Sequence, residues 1–218
     1  MPDSFTPSDR SRVKRMHERA AYDRESLHAV IDAGIMCNVG YVIDGQPYVT
    51  PTFHWREGER LYWHGSSASR MVRATKEGIP VCVTVSHLDG LVMARSGMHH
   101  SANYRAAMMF GTAHAVTDAD EKMASLKAFV DRLTPGRWDE VRPPNPQEFK
   151  ATTVLAMTIE EASVKVRTGG PVDDDEDYAL DCWAGVVPVN TTLDTPEPDT
   201  LLREGIAAPD YLKTIRVT

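Results

Sequence analysis

No stretch of this 218-residue chain approaches the ~18 continuous apolar residues of a membrane-spanning helix. Its start, MPDSFTPSDRSRVKRMHERAAYDRESL, holds no apolar run of the kind a secretory leader needs. Cysteine is scarce: Cys37, Cys82 and Cys182 are far apart and odd in number. That argues against a disulfide framework. Cys37 and Cys82 lie in apolar runs and read as buried free thiols. The set suits a reducing compartment, so a cytoplasmic location is expected. Positive charge is in deficit, with a formal net charge of −7. This argues against a nucleic-acid partner, which wants a basic face, and any anionic ligand must be held by a local site. There is no G-x-G-x-x-G after a strand and no G-x-x-x-x-G-K-[ST]. There is no G-x-S-x-G elbow, and no H-E-x-x-H or C-x-x-C. No metal site is expected, even with eight histidines. No internal repeat or low-complexity segment occurs.

What is present fits a single domain over 1–218, long enough to bury about 70% of its unfolded surface. Residues 1–22 read as a basic surface helix or arm, and 189–218 as a Pro- and Thr-rich tail. Asp23 is placed to cap a helix over Arg24–Ala33 whose buried stripe is Leu27, Val30 and Ile31, with Gly34 as its stop. Ile35–Ile43 then reads as a strand, Asp44-Gly45 as a two-residue hairpin turn, and Gln46–Trp55 as the returning strand. In that strand Pro47 and Pro51 point to an edge or a bulge. Glu57-Gly58 turns into Arg60–His64. A short helix over Ser69–Lys76 follows, then a β-branched run Pro80–His87. Asp89-Gly90 reads as a second hairpin turn before Leu91–Arg95. Ser101–Val116 ends in a long strand in which Gly111 predicts a bulge. Thr117 or Asp118 caps an amphipathic helix Ala119–Leu133, with Met123, Leu126, Phe129, Val130 and Leu133 on one face. Residues 137–148 read as an irregular connection. Strands are expected over Thr152–Ile159, Ala162–Arg167 and Trp183–Pro188, and a short helix near Leu201–Ile206. Seven or eight strands in antiparallel pairs with few helices make a mainly β fold, an antiparallel Greek-key barrel with peripheral helices.

The chemistry concentrates in two places. The first is LYWHGSSASRMVRAT, Leu61–Thr75. An apolar strand end (Leu61, Tyr62, Trp63) breaks at His64-Gly65 and runs through Ser66, Ser67 and Ser69. It becomes helical and cationic at Arg70 and Arg73. Backbone N–H groups at a helix start favour an anion, Ser hydroxyls add donors, and an Arg adds a charge-assisted fork. A Ser N-cap on a surface helix explains the same residues equally simply. The second is Ser101, Asn103, Tyr104 and Arg105, where alternation sends Asn103 and Arg105 to one face and Tyr104 to the other. Amide and guanidinium donors there would suit the edge of a planar polar ligand. An ordinary surface strand start is the other reading.

GQPYVTPTFHWREGERLYWHGSSASRMVRATKEGIPVCVTVSHLDGLVMARS, followed by HHSANYRAAMMFGTAHAV and the late WAGVVP, resembles the pyridoxamine 5′-phosphate oxidase-like family. More closely it is similar to the flavin-nucleotide-binding branch that includes the nitroimidazole-resistance proteins. The resemblance spans roughly Arg19 to Pro188. It implies a split barrel that binds FMN and works as a homodimer with the cofactors at the interface, acting on a small-molecule substrate. Carried over, Val49, Thr50, Pro51 and Thr52 would line the isoalloxazine edge through backbone groups. Pro51, lacking an N–H, would leave its partner strand unpaired and open the barrel. Trp63 and His64 would flank the ribityl chain, and Ser66, Ser67, Ser69 and Arg70 would take the phosphate. Asn103, Tyr104 and Arg105 would close the site. Trp183 would reach the flavin from the other subunit or serve as an aromatic core plug. Lys165 and Arg167 are similar to a basic pair late in the family. The substrate-phosphate Arg/His pattern of the true oxidases is missing near the C-terminus, which sets pyridoxamine phosphate apart as a substrate. His64 is a candidate proton donor, since imidazole titrates near neutral pH. The implied function is FMN-dependent redox chemistry on a small organic molecule. The alternative is a flavin- or haem-binding storage or sensing module, for which His99 and His100 are the haem argument.

Overall fold

The Arg-rich start of the chain is an arm that folds back on its own barrel, held by pairing and charge. The structure, a computed structural model, describes residues 2–213 and residue 215. Beyond a 3-10 turn at His17–Arg19, the arm's one regular element among the described residues is the two-residue strand β1 (Ala20–Ala21). β1 pairs with Val164 and Lys165. Arg10 forks onto Glu161 and lies 4.9 Å over the Phe110 ring, and Lys165 Nζ donates to the Arg15 carbonyl at 2.9 Å. Asp23 then caps α1 (Arg24–Ala33), accepting from the Ser26 N–H at 2.7 Å. Leu27, Val30 and Ile31 are buried, as the stripe requires.

Asp44 and Gly45 both take positive φ, 49° and 79°, the backbone a two-residue hairpin demands. They join β2 (Met36–Ile43) to β3 (Gln46–Glu57) in unbroken register. β4 (Arg60–Ser66) pairs with β3 only at His54–Glu57 and then departs. α2 (Arg70–Thr75) follows. β5 is a single strand, Glu77–Met93, against β6 (Ser101–Ala115). This corrects two expectations. Asp89-Gly90 is no hairpin turn: Gly90 stays extended inside the ladder, where a Cβ would fall 3.0 Å from Val186 Cγ1 and 3.2 Å from the Val187 carbonyl oxygen. The glycine serves close strand approach, and the register slips by one residue there. Gly111 makes no bulge either; its pairing with Val81 is regular. A Cβ at 111 would land 2.6 Å from Met157 Cγ, so this glycine lets strands cross closely.

α3 (Ala119–Leu133) is capped by Asp118. The Pro-rich connection holds more order than expected: a 3-10 turn at Arg137–Glu140 and α4 (Pro146–Ala151) with an Asn145/Glu148 capping box. β7 (Thr152–Thr158), β8 (Glu161–Arg167) and β9 (Gly185–Pro188) complete the sheet. Leu201–Ile206 forms turns, and a 3-10 turn lies at Asp210–Lys213.

Strand order is β1-β8-β6-β7-β4-β3-β2-β5-β9, and an added β5–β6 pairing closes six strands into a ring. The result is an antiparallel split barrel with peripheral helices. Its core joins Val39, Leu61, Trp63, Val83, Met109, Leu155 and Met157, with α1 plugging one end through Leu27, Val30 and Ile31. No described helix is long and apolar enough to cross a membrane.

Candidate functional site

Because β4 leaves β3 after His54–Trp63, the β3 stretch Gln46–Phe53 keeps a ladder partner on one side only, β2. The β2 ladder passes through Pro51 opposite Asn38 without a break. This corrects the expectation that Pro51 unpairs its neighbour. The missing N–H belongs to the open edge, where a strand proline is tolerated. The barrel opens at the divergence of β4, and α2 starts across the gap. Gly65 sits at the junction, where a Cβ would meet Val72 Cγ2 at 3.1 Å.

The result is a cleft of about 480 Å³ between Tyr48–Thr52 of β3 and His64, Gly65, Ser69, Arg70 and Met71, with Tyr41 behind. Tyr41 and Tyr48 stack at 5.7 Å and 17°, and the Tyr41 hydroxyl lies 3.1 Å from Thr50 Oγ1. Arg70 lies 5.0 Å over the Tyr48 ring and makes no ion pair among the described residues. The cleft therefore carries one guanidinium with its charge uncompensated.

The sequence grouped these residues with several that the chain puts elsewhere. Ser69 lines the cleft, although its hydroxyl accepts from the Val72 N–H as an N-cap. Ser67 turns to Thr153 Oγ1 at 2.8 Å and Ser66 accepts from the Ala68 N–H; both are exposed. Trp63 is fully buried in the main core. Asn103 gives its amide to the Gly169 carbonyl and accepts from Arg167, which is itself buried and also donates to the Gly170 carbonyl. Arg105 forks onto Asp89 at 2.9–3.2 Å, with Tyr104 beside it in β6. Trp183 is 68% exposed and folds over Gly185. Within one chain the Asn103–Arg105 group and Trp183 do not line this cleft.

A second cavity had not been anticipated. It measures about 430 Å³ and lies between α3 and the Trp138–Phe149 connection, walled by Leu126, Phe129, Val130, Trp138, Val141 and Phe149. His64 lines this cavity as well as the cleft. Its ring lies 4.6 Å from that of Phe129, and its Nδ1 is buried without a hydrogen-bond partner. Burial lowers the His64 pKa, so the ring is neutral at pH 7 and offers a lone pair more readily than a proton. In the fold, no residue of α3's apolar stripe is fully buried.

Elsewhere, ligating atoms of His99, Asp173 and Asp177 come within 4.8 Å of one another. Asp173 already accepts from the Arg95 and Ser96 N–H groups and from Arg95 Nη1 at 3.2 Å. Burial pushes its carboxyl pKa up, but these donors outweigh it and hold the value below the ordinary one.

A family model described as pyridoxamine 5′-phosphate oxidase matches residues 23–166. No curated protein sequence matches the chain. Among solved structures, the flavocytochrome Anf3 from Azotobacter vinelandii is 46% identical over all of both chains, with a TM-score of 0.92. An FAD and haem binding protein from Mycobacterium smegmatis is 37% identical over 90% of this chain and 97% of that one, with a TM-score of 0.86. A protein assigned to 5-nitroimidazole antibiotic resistance, from Bacteroides thetaiotaomicron, shares the fold at 21% identity, over 67% of this chain and 86% of that one, with a TM-score of 0.57. With two thirds of its length inside the family model and the closed six-strand ring in place, the chain belongs to the pyridoxamine 5′-phosphate oxidase-like family.

Proposed function

We propose that the protein is a flavoprotein that holds a flavin nucleotide in the cleft between β3 and the His64–Met71 segment and uses it for redox chemistry on a small molecule. One observation carries this reading: the open backbone edge of Gln46–Phe53 faces an arginine that no carboxylate among the described residues neutralises. The polar pyrimidine rim of an isoalloxazine needs backbone donors and acceptors, and the open β3 edge supplies them. A phosphate is expensive to desolvate and needs a cation nearby; Arg70 and the Ser69 hydroxyl are that pair. The flavin supplies hydride and electron transfer, while the protein orients it and shields it. The resemblance implied FMN. The relative at 37% identity is described as binding FAD, and the phosphate grip serves either nucleotide.

The same reading includes a homodimer. Outward side chains of β3, β2 and β5 form an apolar wall next to the cleft: Val49, Phe53, Met36, Val42 and Leu88 are 39–67% exposed. A second copy on this wall would bury them and could bring its Trp183 and Asn103–Arg105 group toward the flavin.

Purified protein tests both parts. A flavin absorption spectrum, with the released nucleotide identified by chromatography, is the expected result, together with a dimer mass by light scattering. A colourless protein that takes up neither FMN nor FAD contradicts the flavin reading. A monomer at working concentration contradicts the dimer.

A further inference from the structure

We propose that His99, Asp173 and Asp177 bind a divalent transition metal of the zinc type, which ties the loop between β5 and β6 to the segment after β8. The site shares no residue with the cleft and stands independently of the flavin reading. Among the described residues this is the one group of three histidine, cysteine or carboxylate side chains whose ligating atoms come within 4.8 Å of one another. Its members are far apart in the chain. His99 lies in the loop 94–100, while Asp173 precedes a 3-10 turn at Asp175–Ala179 and Asp177 lies within it.

The spacing is that of metal ligands and not of a hydrogen-bonded pair. His99 Nδ1 stands 3.6 Å from Asp173 Oδ1, beyond hydrogen-bond reach. Zinc bonds to nitrogen and carboxylate oxygen at about 2.1 Å, which sets two tetrahedral ligands about 3.4 Å apart. A buried ring nitrogen without a partner selects nothing by itself, since His28, His54 and His64 each have one. The two carboxylates beside it are what set His99 apart. Asp173 is prepared as a ligand. Its side chain is wholly buried and is held by the Arg95 and Ser96 N–H groups and by Arg95 Nη1. Ligating carboxylates are themselves held by such outer hydrogen bonds. A carboxylate has about four lone-pair sites, so these three donors leave room for a metal. Arg95 also lies 4.9 Å over the Tyr178 ring, so the side chain that orients Asp173 seats the turn that presents Asp177. The Asp177 carboxylate is half-buried and takes no hydrogen bond or ion pair from any described residue. One imidazole nitrogen with two carboxylate oxygens suits zinc and its neighbours better than Mg²⁺ or Ca²⁺, which seek oxygen alone. Three protein ligands leave the fourth position to water. His99 and Asp177 are both half-exposed, so rotation of their side chains closes the wider separations. An ion there would fix the segment that leads to Trp183 and β9.

The test is a Zn²⁺ titration of the chelator-treated full chain by calorimetry, with Co²⁺ absorption reading the ligands. One Zn²⁺ per chain is expected, with visible cobalt d–d bands and no thiolate charge-transfer band. His99→Ala and Asp177→Asn should each weaken Zn²⁺ binding by more than the roughly tenfold to hundredfold that losing an outer-shell partner costs a metal site. Asp173 is left in place, because replacing a wholly buried carboxylate would disturb the fold itself. Melting curves taken in chelator should be alike for wild type and both variants, which separates loss of the site from loss of the fold. His100→Ala and Cys182→Ser should bind as wild type does. A wild type that binds no Zn²⁺ overturns the proposal. So does binding that survives in both His99→Ala and Asp177→Asn, or that is lost in His100→Ala or Cys182→Ser. The titrations contain no flavin, so failure here leaves the flavin reading to its own test.

Discussion

Arg70 is the residue whose removal should be felt by a ligand and not by the fold. Its guanidinium rests on the Tyr48 ring and bridges no carboxylate among the described residues. Arg70→Ala therefore removes a charge-assisted contact worth about 2 kcal/mol, roughly 30-fold in flavin affinity, with the melting temperature unchanged. Fluorescence titration and thermal melts check both halves. Thiol chemistry gives a second prediction at this scale. Burial pushes the Cys37 thiol up to about 12 and raises that of Cys82, while Cys182 is exposed. A maleimide should label Cys182 rapidly in the native protein and Cys37 only after denaturation; mass spectrometry of the labelled peptides decides. The residue types of the cleft were legible in the sequence because an apolar strand end, a glycine and a cationic helix start have local signatures. What each serine does was not. Ser66 and Ser67 are drawn away by Ala68 and Thr153, and Thr153 lies on a strand that only the tertiary fold brings near.

At the scale of elements, two Asp-Gly pairs teach opposite lessons. Asp44-Gly45 has both residues at positive φ and turns the chain. Asp89-Gly90 is ladder, with Asp89 taken by Arg105 and Gly90 pressed between neighbouring strands. The dipeptide alone does not separate these cases, because crowding by β9 is a long-range fact. Helices were more legible: the spans Arg24–Ala33 and Ala119–Leu133 follow from a carboxylate cap and a 3.6-residue stripe. Asp118→Ala should cost about 1 kcal/mol of stability through loss of that cap, measured by urea unfolding. Gly111→Ala is a sharper test. Its methyl would meet Met157 and, closer still, the Thr158 carbonyl oxygen, and backbone cannot rotate away. A loss at the upper end of the ~1–3 kcal/mol typical of overpacking is expected. A variant as stable as wild type would show that the β6–β7 crossing is looser than described.

At the scale of the whole molecule, buried imidazoles tie stability to pH. Burial lowers the pKa of His54 below the ordinary value, and His28 and His64 share the direction. The unfolded chain takes up these protons at about pH 6.5 and the folded one only at lower pH. Their contribution is thus complete above about 6.5 and is lost as pH falls from there toward the depressed folded values. Melting temperature should fall between pH 7 and pH 5, and His54→Gln should flatten that slope. A sequence shows histidines but not their burial, so this behaviour was invisible before the fold; the cavity behind His64 was hidden for the same reason. The barrel class was legible because short strands with turn signals leave few alternatives, and the closing β5–β6 pairing only completed it. The function of the whole molecule depends on whether the cleft holds a flavin by its phosphate. Titrating flavin-free protein with riboflavin, FMN and FAD, in wild type and Arg70→Ala, measures that directly. Tight binding of a phosphorylated flavin, weak binding of riboflavin, and loss of that difference in the variant are predicted. Equal affinity for riboflavin and the nucleotides, or an unaltered preference in Arg70→Ala, would contradict it.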